Sequence, residues 1–136
     1  MTYQFRMYFV IVLFGLFFVC GCGRNHVSLG GKITFSDDDS PVPRGTIVFV
    51  QESFQASAAI QPDGSYNVGS FSEKDGLPAG NYAVWLYGVT ETLQGESERS
   101  LIDSKYESTE TSGLSINVDS KTKNYNLKLD RNTGRK

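Results

Sequence analysis

Apolar residues along most of this chain recur with a period of two. Val27, Leu29, Ile33 and Phe35 alternate with Ser28, Lys32 and Thr34. Phe54, Ala56, Ala58 and Ile60 alternate with Gln55, Ser57 and Gln61, and Leu114, Ile116 and Val118 with Ser115 and Asn117. Tyr125, Leu127 and Leu129 alternate with Asn126, Lys128 and Asp130. Successive strand side chains point to opposite faces, so each run predicts a strand with one buried face. Thr46–Val50 (TIVFV) is continuously apolar and β-branched, which predicts a central strand. No helical stripe of useful length interrupts the pattern.

Turn chemistry separates these runs. Asp37-Asp38-Asp39-Ser40-Pro41-Val42-Pro43 cannot continue a strand. Pro62-Asp63-Gly64 predicts a tight hairpin between Phe54–Gln61 and Tyr66–Val68, with Gly64 free to take positive φ. Leu77-Pro78-Ala79-Gly80 opens the next strand, where Pro78 sets φ and Gly80 permits the reversal. The expected fold is all-β, a seven-stranded Greek-key sandwich. Gly88–Ser112, a mainly polar stretch of 25 residues with no clean period, is expected to be a loop pinned by Leu101, Ile102 and Tyr106.

The N-terminus follows a different rule. Met1–Arg6 carries one cation, and Met7–Val19 is 13 uncharged, mostly large apolar residues. That is the length of a signal-peptide core; a membrane-spanning helix needs about 20. Val19-Cys20-Gly21-Cys22 then fits a bacterial lipobox: an aliphatic residue at −3, two small residues, and the cysteine to be acylated. Cys20 cannot take that role, because Val19 would then occupy −1, where a small residue is required. The expected organisation is a signal peptide over 1–21, the lipidated Cys22 and a tether over 22–26, a β-sandwich over 27–130, and a basic tail over 131–136. An uncleaved signal anchor is the alternative. Two or three acyl chains would hold the chain stably to a membrane. Gly23 stands where an aspartate would favour inner-membrane retention, so an outer-membrane lipoprotein of the cell envelope is expected.

Composition and charge narrow the partners. The chain has 13 basic and 15 acidic residues, and loss of Arg6 with the signal leaves 12 against 15. A slightly negative domain has no general attraction for nucleic acid. The last 16 residues run the other way: Lys121, Lys123, Lys128, Arg131, Arg135 and Lys136 face only Asp130. Such an end can touch anionic lipid or wall polymers; a solvated strand with a frayed tail is the simpler expectation. Both cysteines lie at the end of the apolar run, so no disulfide is expected in the domain, although an exported setting would permit one.

Four motifs occur in order: Gly31-Lys32-Ile33-Thr34-Phe35, Pro41 to Phe49, Pro62-Asp63-Gly64-Ser65-Tyr66, and Pro78-Ala79-Gly80-Asn81-Tyr82. Together they resemble the carboxypeptidase regulatory-like domains, which are transthyretin-like β-sandwiches. Ile102-Asp103-Ser104-Lys105-Tyr106 followed by Thr111-Ser112-Gly113-Leu114 is similar to a group of small bacterial lipoproteins built on that domain. Asp103 departs from that group, where proline is commoner. The resemblance spans about Val27 to Leu129 and implies a non-catalytic module. It carries no peptidase activity, since the zinc site of those enzymes lies in another domain.

The residues agree on chemistry. The only histidine, His26, lies in the tether, and there is no HExxH, paired-cysteine, GxSxG or phosphate-loop motif. No metal or cofactor is therefore expected. Asp37, Asp38 and Asp39 lack the spacing of a calcium loop and read as a solvated turn. Glu96, Glu98 and Asp103 are the only candidate carboxylate set for an alternative reading as an envelope-polysaccharide hydrolase, which would need them at fixed separations in a cleft. A third reading is an assembly subunit acting through an exposed strand edge. Tyr82, Val84 and Leu86 are expected on the core face, with the Tyr82 hydroxyl capping a nearby turn. Ala83, Trp85, Tyr87 and Val89 would then face outward, and Trp85 and Tyr87 become the candidate binding residues, suited to sugar rings or a partner's apolar patch. The competing expectations are a core Trp85 or a loop folded over it. The leading reading is a lipid-anchored, non-catalytic binding or structural module whose partners are the membrane, through Cys22, and an envelope protein or polysaccharide.

Replacing Cys22 with alanine should abolish acylation and processing, because no other cysteine is correctly placed. Metabolic labelling with palmitate reads this directly: label is expected in the parent chain and absent from Cys22→Ala.

Overall fold

The structure, a computed structural model, describes residues 26–134 except 53, 70–74, 94 and 96. The expected signal peptide, Cys22 and Glu96 lie outside the described residues. The strands are β1 His26–Val27, β2 Gly30–Phe35, β3 Thr46–Gln51, β4 Phe54–Ala59, β5 Ser65–Asn67, β6 Leu77–Pro78, β7 Gly80–Tyr87, β8 Thr90–Thr92, β9 Glu98–Ser100, β10 Leu114–Val118 and β11 Leu127–Leu129. Among the described residues no helix is long and apolar enough to cross a membrane.

The strands form a four-stranded sheet, β10-β7-β3-β4, and a three-stranded sheet, β11-β2-β5, with two-stranded pieces β1-β6 and β8-β9. The alternation explains the packing. Ile33, Phe35, Tyr66, Leu127 and Leu129 from the smaller sheet join Ile47, Phe49, Ala58, Tyr82, Val84 and Leu86 from the larger in one buried cluster. Phe49 and Tyr66 meet across the layers at a ring separation of 6.2 Å. The fold is thus all-β and sandwich-like, and Thr46–Gln51 is a central strand flanked by β4 and β7. The Tyr82 hydroxyl donates to the Pro78 carbonyl oxygen at 2.8 Å, the turn cap its position predicts.

The first long strand and the last pair in parallel, Leu127 opposite Ile33 and Leu129 opposite Phe35. Just before β11, the Tyr125 amide donates to the Gly30 carbonyl at 2.9 Å, and the Tyr125 carbonyl accepts the buried Tyr66 hydroxyl at 2.5 Å. This close approach requires glycine at position 31, where a β-carbon would fall 2.1 Å from the Tyr125 oxygen. Past β11, Arg131 lies over the Phe35 ring at 3.7 Å and donates to the carboxylates of Asp37 and Asp38, each at 2.9 Å. Lys128 pairs with Asp39 at 2.6 Å. The acidic turn and the basic C-terminal segment therefore satisfy each other. Hydrogen bonds from the Ser40 hydroxyl and amide, and then Arg131, hold the Asp38 carboxyl down at about 2.

Three expectations need correction, and the hairpin needs refinement. Gly88–Ser112 is not one unstructured loop: β8 and β9 form a hairpin within it, and Ser104–Glu107 makes a 3-10 turn. The hairpin escaped the hydrophobic pattern because it is polar and held by surface pairs such as Arg99 with Glu91 at 2.5 Å. The Pro62-Asp63-Gly64 hairpin forms, with the Gln61 amide bonded to the Ser65 carbonyl at 2.8 Å and Ser57 bridged antiparallel to Gly69, although β4 and β5 take their main partners in different sheets. Val89 is buried, 1% exposed, rather than outward, because Gly88 at φ 68° breaks the alternation. The docked chain also runs beyond Asp130, since Arg131 bridges to Ile102 and the Asn132 amide donates to the Leu101 carbonyl at 2.9 Å.

Gly31→Ala should destabilise the domain by about 2 kcal/mol or more, since the added methyl meets backbone that cannot swing aside. Urea unfolding monitored by circular dichroism should show the loss as a lowered midpoint.

Candidate functional site

The outer face of the four-stranded sheet is built by strand alternation. With Tyr82, Val84 and Leu86 committed to the core, Ala83, Trp85 and Tyr87 must point away from it. Trp85 is mostly covered, with part of its surface open, and Tyr87 is 49% exposed. Their rings sit 5.5 Å apart, tilted by 35°. This is the spacing of an offset aromatic pair, whose mutual contact orders both side chains.

The register supplies the surroundings. Val48 lies opposite Trp85 and Thr46 opposite Tyr87 on β3. One strand further out, Ser57 faces Val48 and Ala59 faces Thr46. Val48 is 1% exposed yet stands outside the core cluster, so it forms an apolar floor on the outer face beside the indole. Beyond Tyr87 the surface falls into a depression of about 540 Å³ bordered by Thr46, Ser57, Ala59, Gln61 and Asn67. Among the described residues, hydroxyl and carboxamide groups line it with no carboxylate, ammonium or guanidinium. The arrangement can stack on a flat apolar surface and hydrogen-bond a neutral, hydroxyl-rich one.

Sequence reasoning found the two aromatic residues but not Thr46, Val48, Ser57, Gln61 and Asn67 around them. Alternation marks Ser57 as outward, but only the β3–β4 and β3–β7 registers bring it near Trp85. Tyr87 stays open to solvent, whereas Trp85 is largely covered.

The other candidates are engaged locally. Asp103 accepts the Lys105 amide at 2.9 Å and caps the 3-10 turn. Glu98 accepts the Thr90 hydroxyl at 3.4 Å across the β8–β9 hairpin. Asp130 is held down at about 2 by Lys105, with further hydrogen bonds from Ser36 and Tyr106. Among the described residues, no three His, Cys, Asp or Glu side chains are grouped to hold a metal ion.

No family model matches this chain, and no curated protein matches it. Among solved structures, the major pilin subunit of Bacillus cereus is similar, with a TM-score of 0.50 and 12% identity over 80% of this chain. The chain spans 30% of that pilin's length. A likeness at this identity speaks to the all-β fold alone.

Trp85→Ala should cost about 2 kcal/mol, because the indole is largely covered but keeps part of its surface in water. Tyr82→Ala should cost about 3–5 kcal/mol, as deletion of a fully buried aromatic does. Iodide should quench the single tryptophan in the folded protein, and thermal melts of the two variants should rank in that order.

Proposed function

We propose that this chain is a lipid-anchored, non-catalytic binding module of the bacterial cell envelope, placed in the outer membrane and recognising its partner through the Trp85–Tyr87 face. In this reading the four- and three-stranded sheets are the leaves of a seven-stranded, Greek-key, transthyretin-like sandwich of the carboxypeptidase regulatory-like type. The ordered turn motifs support that family assignment.

The observation that carries the reading is the separation of the aromatic pair from the tether along β7. Cys22 precedes His26 by four residues, a reach of at most about 14 Å. His26 pairs with Pro78, and β7 begins at Gly80. Tyr87 lies seven residues further on, roughly 23 Å along the strand. A lipid on Cys22 would hold the His26 end at the bilayer and display the aromatic pair away from it. Charge at the tether end agrees. Lys123 borders the same depression as His26, Lys121 is two residues before it, and neither has a carboxylate partner among the described residues. Two uncompensated cations suit an anionic membrane surface. The local engagement of Glu98 and Asp103 favours binding over hydrolysis.

One observation favours a second reading, an assembly subunit. Among the described residues strand β10 has a strand partner on one side only, with the Tyr125 hydroxyl donating to the Ser115 carbonyl at 3.2 Å. An open edge can accept another chain's strand.

A photoreactive residue placed in the full-length chain in cells separates the two. At Ala59, on the rim of the aromatic site, it should capture envelope material, glycan or protein, and at Ser115 it should not. Capture of a second copy at Ser115 alone would favour assembly, and no adduct at either position would remove the binding reading.

A further inference from the structure

We infer that the Trp85–Tyr87 face and the adjoining depression take a neutral polysaccharide. This rests on the binding-module reading and adds to it the chemical class of the ligand.

Three properties of the surface select that class. The first is the aromatic pair. The two rings, 5.5 Å apart and tilted by 35°, form one ordered aromatic ridge whose exposed end is the Tyr87 phenol. Pyranose rings have one face rich in C–H groups, and an exposed indole or phenol face attracts it without demanding full burial. The Val48 floor keeps water from beneath the indole, so the stacking surface is backed by apolar packing.

The second is the polarity of the depression. Thr46 and Ser57 offer hydroxyls that donate and accept, while Gln61 and Asn67 offer carboxamides with both functions. Vicinal sugar hydroxyls need this mixed set. A phosphate or carboxylate ligand would call for arginine or lysine, and among the described residues neither borders the depression. A cationic ligand would call for a carboxylate, and no described residue on the border supplies one.

The third is the poverty of apolar area around the pair. Among the described residues, Tyr87 and Leu93 are the only large hydrophobic side chains with substantial exposure. A stable protein interface needs a contiguous apolar centre, and two side chains do not provide one. A glycan uses isolated aromatic rings framed by neutral polar groups, and that is what β7, β3 and β4 assemble. The depression, at about 540 Å³, accommodates a few sugar units beside the stacked ones.

Titration of the purified full-length chain in detergent tests this, with the single tryptophan as reporter. The probes are cellohexaose, laminarihexaose, mannohexaose and chitohexaose, with hexagalacturonate as the anionic control. At least one neutral hexasaccharide should give a saturable change in Trp85 emission. Its affinity should vary less than twofold between low and high salt, because no charge is screened. Binding, followed by calorimetry, should fall at least tenfold in Trp85→Ala and in Tyr87→Ala and survive in Trp85→Phe. Tyr87 is the more exposed residue, so its variant keeps the test valid if loss of the indole disturbs the sheet. No response to any neutral probe, binding unaffected by both alanine variants, or a preference for hexagalacturonate that fades with salt would each overturn the inference. A protein adduct at Ala59 in cells, together with no hexasaccharide binding, would leave the binding-module reading standing and remove the sugar.

Discussion

The parallel pairing of β2 with β11 holds the rest of this structure in place. It joins residues about 94 positions apart, so its closure carries a large entropic cost that many small contacts must offset. The backbone of Gly31 lies against the Tyr125 carbonyl, Tyr66 donates its buried hydroxyl to the same oxygen, and the Tyr125 ring meets Phe49 of the opposite sheet at 6.4 Å. Burial raises the Tyr66 phenol well above its ordinary range, so it remains a donor at all ordinary pH. One carbonyl thus ties the smaller sheet together, while the side chain of the same residue reaches the larger one.

The charged groups at that end act through this pairing. A surface ion pair contributes little by itself. Here the Asp37-Asp38-Asp39 turn and the Arg131–Lys128 segment are brought together because β2 and β11 end side by side. The arginine then covers the edge of the core at Phe35, combining a cation–π contact with its two carboxylates. The same segment carries Asp130, whose backbone carbonyl accepts the Asp103 amide at 2.9 Å and whose carboxylate accepts Lys105. In this way the last strand also docks the chain from Leu101 to Glu107, and so limits how far the polar segment after Gly88 can move across the sheet.

The aromatic face follows from the central place of β3 in the other sheet. Because β3 is flanked by β7 and β4, its outward residues Thr46 and Val48 sit between the aromatic pair and Ser57 and Ala59. The surface is flat where a sheet is flat, apolar where two rings happen to neighbour, and polar where β4 alternates toward solvent. Among the described residues its neutral lining comes from β7, β3 and β4 together with the chain from Gln61 to Gly69.

Local patterns in the chain sufficed for much of this. Period-two alternation determined which face of each strand is buried, including the outward direction of Trp85 and Tyr87, because side-chain direction on a strand depends only on parity. Turn residues determined the Tyr82 cap and the reversal at Pro62-Asp63-Gly64, because those conformations are set within four residues. Register, sheet membership and non-local charge pairing were decided only in the tertiary structure. The strands either side of the Pro62-Asp63-Gly64 turn take their main partners in different sheets, β4 from β3 and β5 from β2, and Val89 turns inward after one glycine in a left-handed conformation. Arg131 reads in the chain as part of a free basic tail until β2 and β11 align. Thr46, Ser57, Gln61 and Asn67 gather around Tyr87 for the same reason: backbone hydrogen bonds between strands, which leave no mark on sequence spacing, decide which outward residues become neighbours.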